Sequence, residues 1–196
     1  MLYTGLIHGH WLACKTSDKA HSSCYRGNVC LVRLPAMNVL TPYPDLSPLQ
    51  LQQLLEIEIR PEQKMYSGDV DTALYTLLGC PDDDIQGFAL LVSEVPRAFL
   101  LLKHGRFVPH WAHPQAATLH ALQVHWRLQG RGLGRACLEG LPDAARQAWP
   151  GVQQLELSVD ADNTAAVGLY QALGWADSGQ AYRGRIGYER RFVLAL

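Results

Sequence analysis

Apolar residues along the chain follow two periods, one typical of helices and the other typical of strands. Within residues 47–59 they recur at helical spacing, with Ser47 suited to cap the start of a helix and Pro61 just past its end. Residues 69–78 form a second helical stretch, which Gly79 closes. The pattern predicts two early helices, and the loop between them, which holds Tyr66, is a candidate wall of a substrate site.

Continuous and alternating apolar runs predict the strands. Residues 87–94 and 98–103 are two apolar runs separated by a short turn, which is the pattern of an antiparallel hairpin. Residues 118–125 form a further strand. Apolar and polar residues alternate in a strand at 155–159, and a final pair of strands is expected within 182–196.

Two more helices are expected between the later strands. Residues 133–148 carry one apolar face, with Pro142 expected to kink or split that helix. Asn163 is placed to cap a helix that runs to Leu173, and Gly174 is its stop. Hairpins first, then strands alternating with helices, predict an α+β fold with a mixed, mostly antiparallel central sheet and helices on both faces.

Length and composition narrow the possible classes. At 196 residues with 48% hydrophobic content, the chain has room for one compact domain of ordinary size. A net charge of -1 gives no excess of basic side chains for a phosphate backbone, so nucleic acid is not an expected partner. No window approaches the length of apolar chain needed to cross a bilayer, and the first residues lack the charge and apolar run of a secretory signal. The sequence therefore predicts a soluble, cytoplasmic protein without a membrane partner.

The first 36 residues differ from the rest. They hold Cys14, Cys24 and Cys30, three of the five cysteines, and an odd number of cysteines without paired spacing does not suggest a disulfide framework. From Met37 the sequence resembles a domain start in its own right. We therefore expect residues 1–36 to be an extension, flexible or upstream of the natural start, and residues 37–196 to be the functional domain.

A glycine-rich turn carries the strongest chemical signal. Residues 128–136, LQGRGLGRA, place glycines at alternate positions between a predicted strand and a predicted helix. Backbone N–H groups can converge there without Cβ atoms in the way, and the helix dipole adds partial positive charge. Arg131 and Arg135 are placed to reach outer phosphate oxygens, so the turn is interpreted as a pyrophosphate site.

Spacing separates the candidate cofactors. A dinucleotide fingerprint starting at Gly130 would need a small residue where Arg135 stands, and a P-loop would need Gly-Lys-Ser/Thr. Neither pattern fits. Gln129, Gly132 and Gly134 do match Q/R-x-x-G-x-G/A, and on this signature the chain resembles the GNAT superfamily of N-acetyltransferases.

A second signature supports the resemblance. The segment DNTAAVGLYQALGW is similar to the family element N-x-x-A-x-x-L-Y-x-x-x-G-F, with matches at Asn163, Ala166, Tyr170 and Gly174 and Trp in place of Phe at 175. The resemblance is strong over residues 118–175 and only topological over residues 37–117, and residues 1–36 have no counterpart in the family. Locally, TLHALQVH and LYQALGW are similar to arylalkylamine N-acetyltransferases, of whose two strand histidines this chain keeps only the second, as His120.

The resemblance implies acetyl-CoA as co-substrate and direct transfer of its acetyl group to a primary amine of a small molecule or peptide. In that family the signature binds the pyrophosphate of coenzyme A, and the strand before it splays to receive the pantetheine arm. The residues implied to contact coenzyme A are Leu122, Val124, Gln129, Gly130, Arg131, Gly132, Leu133, Gly134, Arg135 and Asn163.

Two side chains are candidates for proton transfer. Strand alternation would place His120 on one face with Leu122 and Val124, where it could accept the proton of the amine. The alternative is a structural histidine in a central strand. By resemblance Tyr170 is the general acid toward the leaving thiolate, and the alternative is a core aromatic residue.

Other interpretations of the sequence have fewer residues in their support. A non-catalytic module that binds acyl-CoA stays open as an alternative to the enzyme, and a nucleotide-dependent oxidoreductase is disfavoured by Arg135. His110 and His113 approach ligand spacing, but no nearby Cys or carboxylate completes a set, so no metal is expected. The acceptor pocket is expected from the first two helices, their loop and residues 104–116. A homodimer is suggested by the resemblance alone.

Overall fold

The structure is a computed structural model, which describes residues 38–80, 83–184 and 187–196. The extension expected at residues 1–36 lies outside the described residues. The strands are β1 (Asn38–Pro42), β2 (Ile85–Val92), β3 (Val95–Lys103), β4 (Ala116–Val124), β5 (Gln154–Asp160), β6 (Ala176–Arg183) and β7 (Tyr188–Ala195). The α-helices are α1 (Pro48–Leu54), α2 (Lys64–Ser67), α3 (Val70–Leu78), α4 (Leu133–Ala148) and α5 (Thr164–Ala172).

The strands form one sheet in the order β1-β2-β3-β4-β5-β7-β6. β4 and β5 are parallel, and the other neighbouring pairs are antiparallel. A parallel pair needs a crossover connection, and α4 supplies it between β4 and β5. The α+β fold with a mixed, mostly antiparallel sheet is therefore confirmed.

Helices cover both faces of the sheet and bury two separate cores. The larger core lies between the sheet and the later helices, with Leu138 of α4 and Tyr170 of α5 among its buried members. The smaller core lies on the other face, where Leu54 of α1 and Ala73 of α3 pack with Phe99 of β3. The predicted placement of helices on both faces is correct. Within the part of the chain that the structure describes, no helix has the length and apolar character needed to cross a membrane.

β4 and β5 separate soon after they begin to pair. Their register holds only from Ala116 to Thr118 on β4 and from Gln154 to Glu156 on β5. On its other edge, β5 pairs along its whole length with β7. The two parallel strands therefore open toward their carboxyl ends, and this opening is where a ligand can enter the sheet.

β4 also carries a β-bulge. Leu101 pairs with His120 and Phe99 pairs with Gln123, so two residues of β4 stand opposite one residue of β3. Ala121, within the bulge, has a φ of 51°, a left-handed conformation that L-residues seldom adopt. The extra residue reverses the alternation of side chains between the two faces in the second half of the strand.

Two helix predictions need correction. The first helix was expected over 47–59 but ends at Leu54, because Ile57 and Ile59 are buried at alternate positions of an extended segment rather than on a helical face. The residue before a proline also disfavours helical backbone, and Arg60 precedes Pro61.

Pro142 was expected to kink or split its helix, yet α4 is continuous from Leu133 to Ala148. Leu138, Leu141 and Ala145, on both sides of the proline, are all buried against the sheet. Packing on both sides of Pro142 therefore holds the helix together.

A buried ionic network ties β5 to β7 at the point where β4 leaves. Glu156 is fully buried, and its two carboxylate oxygens accept hydrogen bonds from Nε and Nη2 of Arg191, each at 2.8 Å. It also accepts from the backbone N–H of His113 at 3.0 Å and from Gln154 Nε2. Each oxygen of this buried carboxylate is thus satisfied, as a buried charge requires.

We expect Glu156→Gln to lower the free energy of unfolding by about 2–3 kcal/mol, because Arg191 would lose its charged partner in a poorly solvated place. Urea unfolding measures this. Glu139→Gln is the matched control, since Glu139 pairs with Arg135 at 3.5 Å on the exposed surface and its loss should change stability by about 0.5 kcal/mol or less. Equal effects of the two substitutions would contradict the role given to Glu156.

Candidate functional site

A cleft of about 660 Å³ lies where β4 and β5 separate. It brings together every residue predicted to bind the cofactor or to take part in proton transfer, except Arg131. Arg131 is exposed and does not line the cleft. The predicted residues that do line it are His120, Leu122, Val124, Gln129, Gly130, Gly132, Leu133, Gly134, Arg135, Asn163 and Tyr170.

The glycine turn forms one end of the cleft. Gly130 and Gly132 have φ values of 73° and 83°, and Gly132 is the N-cap residue of α4. A Cβ atom built on either glycine would meet nothing within 4 Å, so the space above the turn is open. Positive φ explains the choice of glycine, and the open space leaves the N-terminus of a 16-residue helix accessible to an anion.

Arg135, in the first turn of α4, is the one positively charged side chain lining the cleft among the described residues. Its ion pair with Glu139 is 3.5 Å long and exposed. Such a surface pair is weak, so the guanidinium can turn to a ligand at little cost.

The side chain of Gln129 makes its hydrogen bonds to other residues of the protein. Its Nε2 donates to the carbonyl oxygen of Val124 at 3.0 Å and to Gln63 Oε1 at 2.9 Å, while Gln63 Nε2 donates back to Gln129 Oε1 at 3.1 Å. These bonds join the end of β4, the glycine turn and the short 3-10 helix Pro61–Gln63. Gln129 therefore holds the turn in place, and only its backbone is left for an anion.

The bulge corrects the predicted face of β4. His120 was expected on one face with Leu122 and Val124, but those two residues pack against the larger core beside α4. His120 pairs with Leu101 and Gln123 pairs with Phe99, both members of the smaller core on the opposite face. Because residues directly opposite in an antiparallel pair point to the same face, His120 and Gln123 share the side of the sheet that α1 and α3 cover.

His120 is held neutral by its surroundings. Its Nε2 lies 2.8 Å from Thr118 Oγ1, whose hydroxyl is 3.3 Å from the carbonyl oxygen of Lys103. Burial, with a contribution from the positive charge of Lys103, lowers the pKa of His120 to about 3. Its ring is therefore a hydrogen-bonding group at neutral pH and holds a proton poorly.

Tyr170 is buried with its ring against two others. The ring centroids of Trp175 and Phe192 lie 5.9 and 5.8 Å away, and Tyr170 itself is 8% exposed while lining the cleft. Burial raises the pKa of Tyr170 to about 12. The hydroxyl therefore keeps its proton throughout the physiological range.

Asn163 caps α5, because its Oδ1 accepts a hydrogen bond from the backbone N–H of Ala166 at 3.3 Å. This is the predicted cap. Asn163 also lines the cleft, so its place in the motif serves the local helix as well as the site.

Several lining residues were missed by sequence reasoning. On the side of the first helices these are Gln63, Ser67 and Gln123, and on the side of the last strands they are Ser158, Asp160, Tyr182 and Glu189. Tyr66, in the loop proposed as a substrate wall, does line the cleft.

Residues 104–116, expected to help form the acceptor pocket, contribute none of the lining residues that the structure describes. Trp111 of that segment instead stacks on Tyr182, with ring centroids 6.5 Å apart. The segment thus contacts a lining residue of the cleft, Tyr182, without lining the cleft itself. Only the alternation within β5 hinted at Ser158, and no motif marks Tyr182 or Glu189.

A second depression of about 730 Å³, lined by residues such as Glu58, Arg60 and Trp126, adjoins the cleft at Ile59 but contains no part of the glycine turn. No group of three or more potential metal ligands lies together in the described ranges.

Comparison with known proteins gives one consistent result. The family model described as "Acetyltransferase (GNAT) family" matches residues 44–175. A mycothiol acetyltransferase from Renibacterium salmoninarum is 33% identical over 102 residues, which is 47% of this chain and 27% of that relative. The chain spans about a quarter to about a half of the length of the curated relatives it matches.

Solved structures agree on the fold. The ribosomal-protein-S18-alanine N-acetyltransferase from Escherichia coli has a TM-score of 0.52 at 25% identity, covering 82% of this chain and 93% of that one. An aminoglycoside acetyltransferase, AAC(6')-Ib, in complex with coenzyme A, has a TM-score of 0.61 at 15% identity, covering 80% of this chain and 95% of that one. The described elements therefore follow the GNAT fold.

The low pKa of His120 predicts acid sensitivity. In the unfolded chain its pKa returns to about 6.5, so between pH 6.5 and 3 the unfolded state binds a proton that the folded state does not. This contribution to stability is present above pH 6.5 and is lost as the pH falls. Between pH 7.5 and 5, wild-type protein should lose about 2 kcal/mol more than His120→Gln, measured by urea unfolding at both pH values. Equal losses would mean that His120 is not held neutral by the fold.

Proposed function

Because the chain belongs to the acetyltransferase (GNAT) family, we propose that it transfers the acetyl group of acetyl-CoA to a primary amine of a small molecule or peptide. The observation that carries this proposal is the cleft between β4 and β5, which opens directly onto the glycine turn. A thioester with a long diphosphate-bearing tail fits such a site. Its diphosphate needs an anion-binding turn at one end of the cleft, and its thioester carbonyl needs a different wall at the other end.

In this proposal the pyrophosphate of coenzyme A binds the turn. The backbone N–H groups of residues 130–134 and the dipole of α4 favour an anion, and Arg135 adds a full charge. Gln129 contributes through its side-chain hydrogen bonds to Gln63 and to the carbonyl oxygen of Val124, which hold the turn in place. Leu122, Leu133 and Asn163 supply the walls.

The opening of the sheet suits the pantetheine arm and the thioester. The N–H of His125 donates to Arg97 of β3, and successive N–H groups of a strand point to opposite edges. The N–H of Val124 therefore points toward the cleft edge. It is the group that we propose to stabilise the negative charge on the acetyl oxygen during attack.

Tyr170 is the proposed proton donor to the departing thiolate. A pKa of about 12 keeps it protonated, and packing of its ring against Trp175 and Phe192 fixes the position of the hydroxyl oxygen. His120 was the predicted base, but a nitrogen with a pKa of about 3 cannot hold the proton of an alkylammonium whose pKa is near 10. We propose that the amine reacts as its neutral form and that His120 serves as a neutral hydrogen-bonding wall residue.

The relatives leave the acceptor within a broad class. One neighbour is named for an alanine of a ribosomal protein and another for aminoglycosides, so peptide and small-molecule amines both fit the proposal.

The cofactor is tested at Gly132. Gly132→Glu should weaken acetyl-CoA binding at least a hundredfold in calorimetric titration, because the new carboxylate would crowd and repel the pyrophosphate. Gly132→Ala carries the same backbone strain at a φ of 83° without charge and should weaken binding far less. Gly151→Glu, in open space away from the cleft, controls for the added charge and should bind normally. Equal losses in the Glu and Ala variants of Gly132 would argue against an anion at the turn.

The proton donor is tested at Tyr170. Tyr170→Phe should lower kcat about a hundredfold while leaving acetyl-CoA affinity unchanged, since the ring and its packing remain. The wild-type rate should show no loss from tyrosine ionisation until the pH approaches 12. Tyr75→Phe, at a residue 81% exposed and outside the cleft, is the control. An unchanged kcat in Tyr170→Phe would remove Tyr170 from the reaction.

A further inference from the structure

Gln123 is a buried amide with one unused hydrogen-bonding atom. It is 1% exposed, and its Nε2 donates to the backbone carbonyl of Ser67 at 2.9 Å. Its Oε1 accepts no hydrogen bond from any residue that the structure describes. A buried acceptor left without a donor is unfavourable, and a ligand that donates a hydrogen bond to it would remove that cost.

The orientation of the amide follows from Ser67. A carbonyl oxygen can only accept, so the nitrogen of the Gln123 amide must face Ser67 and the oxygen must be the other atom. Gln123 lines the cleft, next to Val124 on the same strand. The one polar atom that Gln123 has left for a ligand is therefore an acceptor of hydrogen bonds, and that atom is itself buried.

The face of the sheet on which Gln123 lies determines which ligand it can contact. Beyond the bulge, Gln123 lies on the side of α2 and of Phe99, whereas Leu122 and Val124 pack toward α4, whose N-terminus carries the glycine turn. The acceptor amine must enter from the face that the tail of coenzyme A does not occupy. Gln123 is thus on the amine side.

We propose that Gln123 Oε1 accepts a hydrogen bond from the N–H of the acceptor amine and selects primary amines. The inference rests on the proposed function and names a specificity residue within it. A neutral amide oxygen suits a neutral amine, which is the form that attacks.

The bond is stronger in the transition state than before it. As the nitrogen lone pair forms the C–N bond, the carbonyl π electrons move to the acetyl oxygen and the nitrogen becomes positive. Its N–H then donates a charge-assisted hydrogen bond to Oε1. When the C–S bond breaks, the sulfur keeps the bonding electrons and takes a proton, and the nitrogen loses one proton to water.

The preference for primary over secondary amines follows from the number of N–H groups on the amine nitrogen. A primary amine has two, so one stays on Gln123 Oε1 after the other leaves, and it remains as the amide N–H of the product. A secondary amine has one N–H, which must leave Oε1 when the proton is lost. Oε1 would then be buried without a donor late in the reaction, which disfavours secondary amines.

Two variants distinguish a hydrogen bond to the amine from a purely structural hydrogen bond to the Ser67 carbonyl. Gln123→Met removes both the acceptor and the donor at similar length, and Gln123→Glu keeps an acceptor oxygen but loses the donation to Ser67. The probes are butylamine and N-methylbutylamine, each with saturating acetyl-CoA, and the readouts are kcat/KM, kcat, the affinity for acetyl-CoA and the melting temperature.

We expect Gln123→Met to lower kcat/KM for butylamine about ten- to a hundredfold, the effect of one lost hydrogen bond to a charged group, partly through kcat. Its preference for butylamine over N-methylbutylamine should fall, and its affinity for acetyl-CoA should be unchanged. Gln123→Glu should retain more activity than Gln123→Met. If the role were only to hold Ser67, the preference for butylamine over N-methylbutylamine would be unchanged in both variants.

The outcomes distinguish the two proposals. Wild-type protein that acetylates butylamine, together with a Met variant of unchanged rate and unchanged preference, overturns the role of Gln123 and leaves the proposed function intact. Wild-type protein that binds acetyl-CoA but acetylates neither these amines nor any member of a panel of primary amines and peptides overturns both. Should Gln123→Glu fail to fold, the loss of amine preference in Gln123→Met still decides the question.

Discussion

The separation of β4 from β5 is the constraint on which the rest of the site depends. Two parallel strands would ordinarily pair along their length, but here three register pairs are followed by divergence, while β5 keeps seven with β7. Glu156 stands at the branch, and its bidentate contact with Arg191 holds β5 against β7. Because β7 pairs with one edge of β5, the other edge stays without a strand partner beyond Glu156 in the described part of the chain and faces β4 across the cleft. The cleft is therefore bounded by two strands, each held on its far edge, β5 by β7 and β4 by β3.

The bulge at Ala121 gives the two sides of the opening different chemistry. If β4 alternated regularly, Leu122 would lie on the face of His120, and an apolar residue would replace Gln123 on the amine side. The extra residue instead sends Leu122 and Val124 to the larger core and turns Gln123 toward α2. A left-handed conformation at a residue with a Cβ costs free energy, and such strain is found where it arranges a site. Here it places an apolar wall and a polar wall on consecutive residues of one strand.

Sequence reasoning succeeded where structure is set by neighbouring residues. The glycine turn, the cap at Asn163 and the helix 133–148 all depend on contacts within a few positions, and each has the predicted location. It failed where distant parts of the chain decide. The first helix was drawn too long because Ile57 is buried in the smaller core beside the sheet. The prediction that His120, Leu122 and Val124 share a face was wrong because a bulge leaves no mark in an apolar pattern. Tyr182 and Glu189 reach the cleft only through the pairing of β5 with β7 and β6, which no local motif records.

Burial favours the neutral form of both Tyr170 and His120, and this shapes the proposed reaction. Removing water disfavours charge, so Tyr170 keeps its proton and His120 does not gain one. The cleft then contains a proton donor for the thiolate but no histidine able to take the proton of an ammonium. An amine that enters in its neutral form needs no such base, and what it needs instead is a neutral acceptor that orients its N–H groups. Gln123 Oε1 is an acceptor of that kind on the amine side, and its hydrogen bond strengthens as positive charge develops on the nitrogen. The same dehydration that weakens His120 as a base thus makes a neutral amide acceptor the more effective group, since a hydrogen bond gains strength where water is excluded.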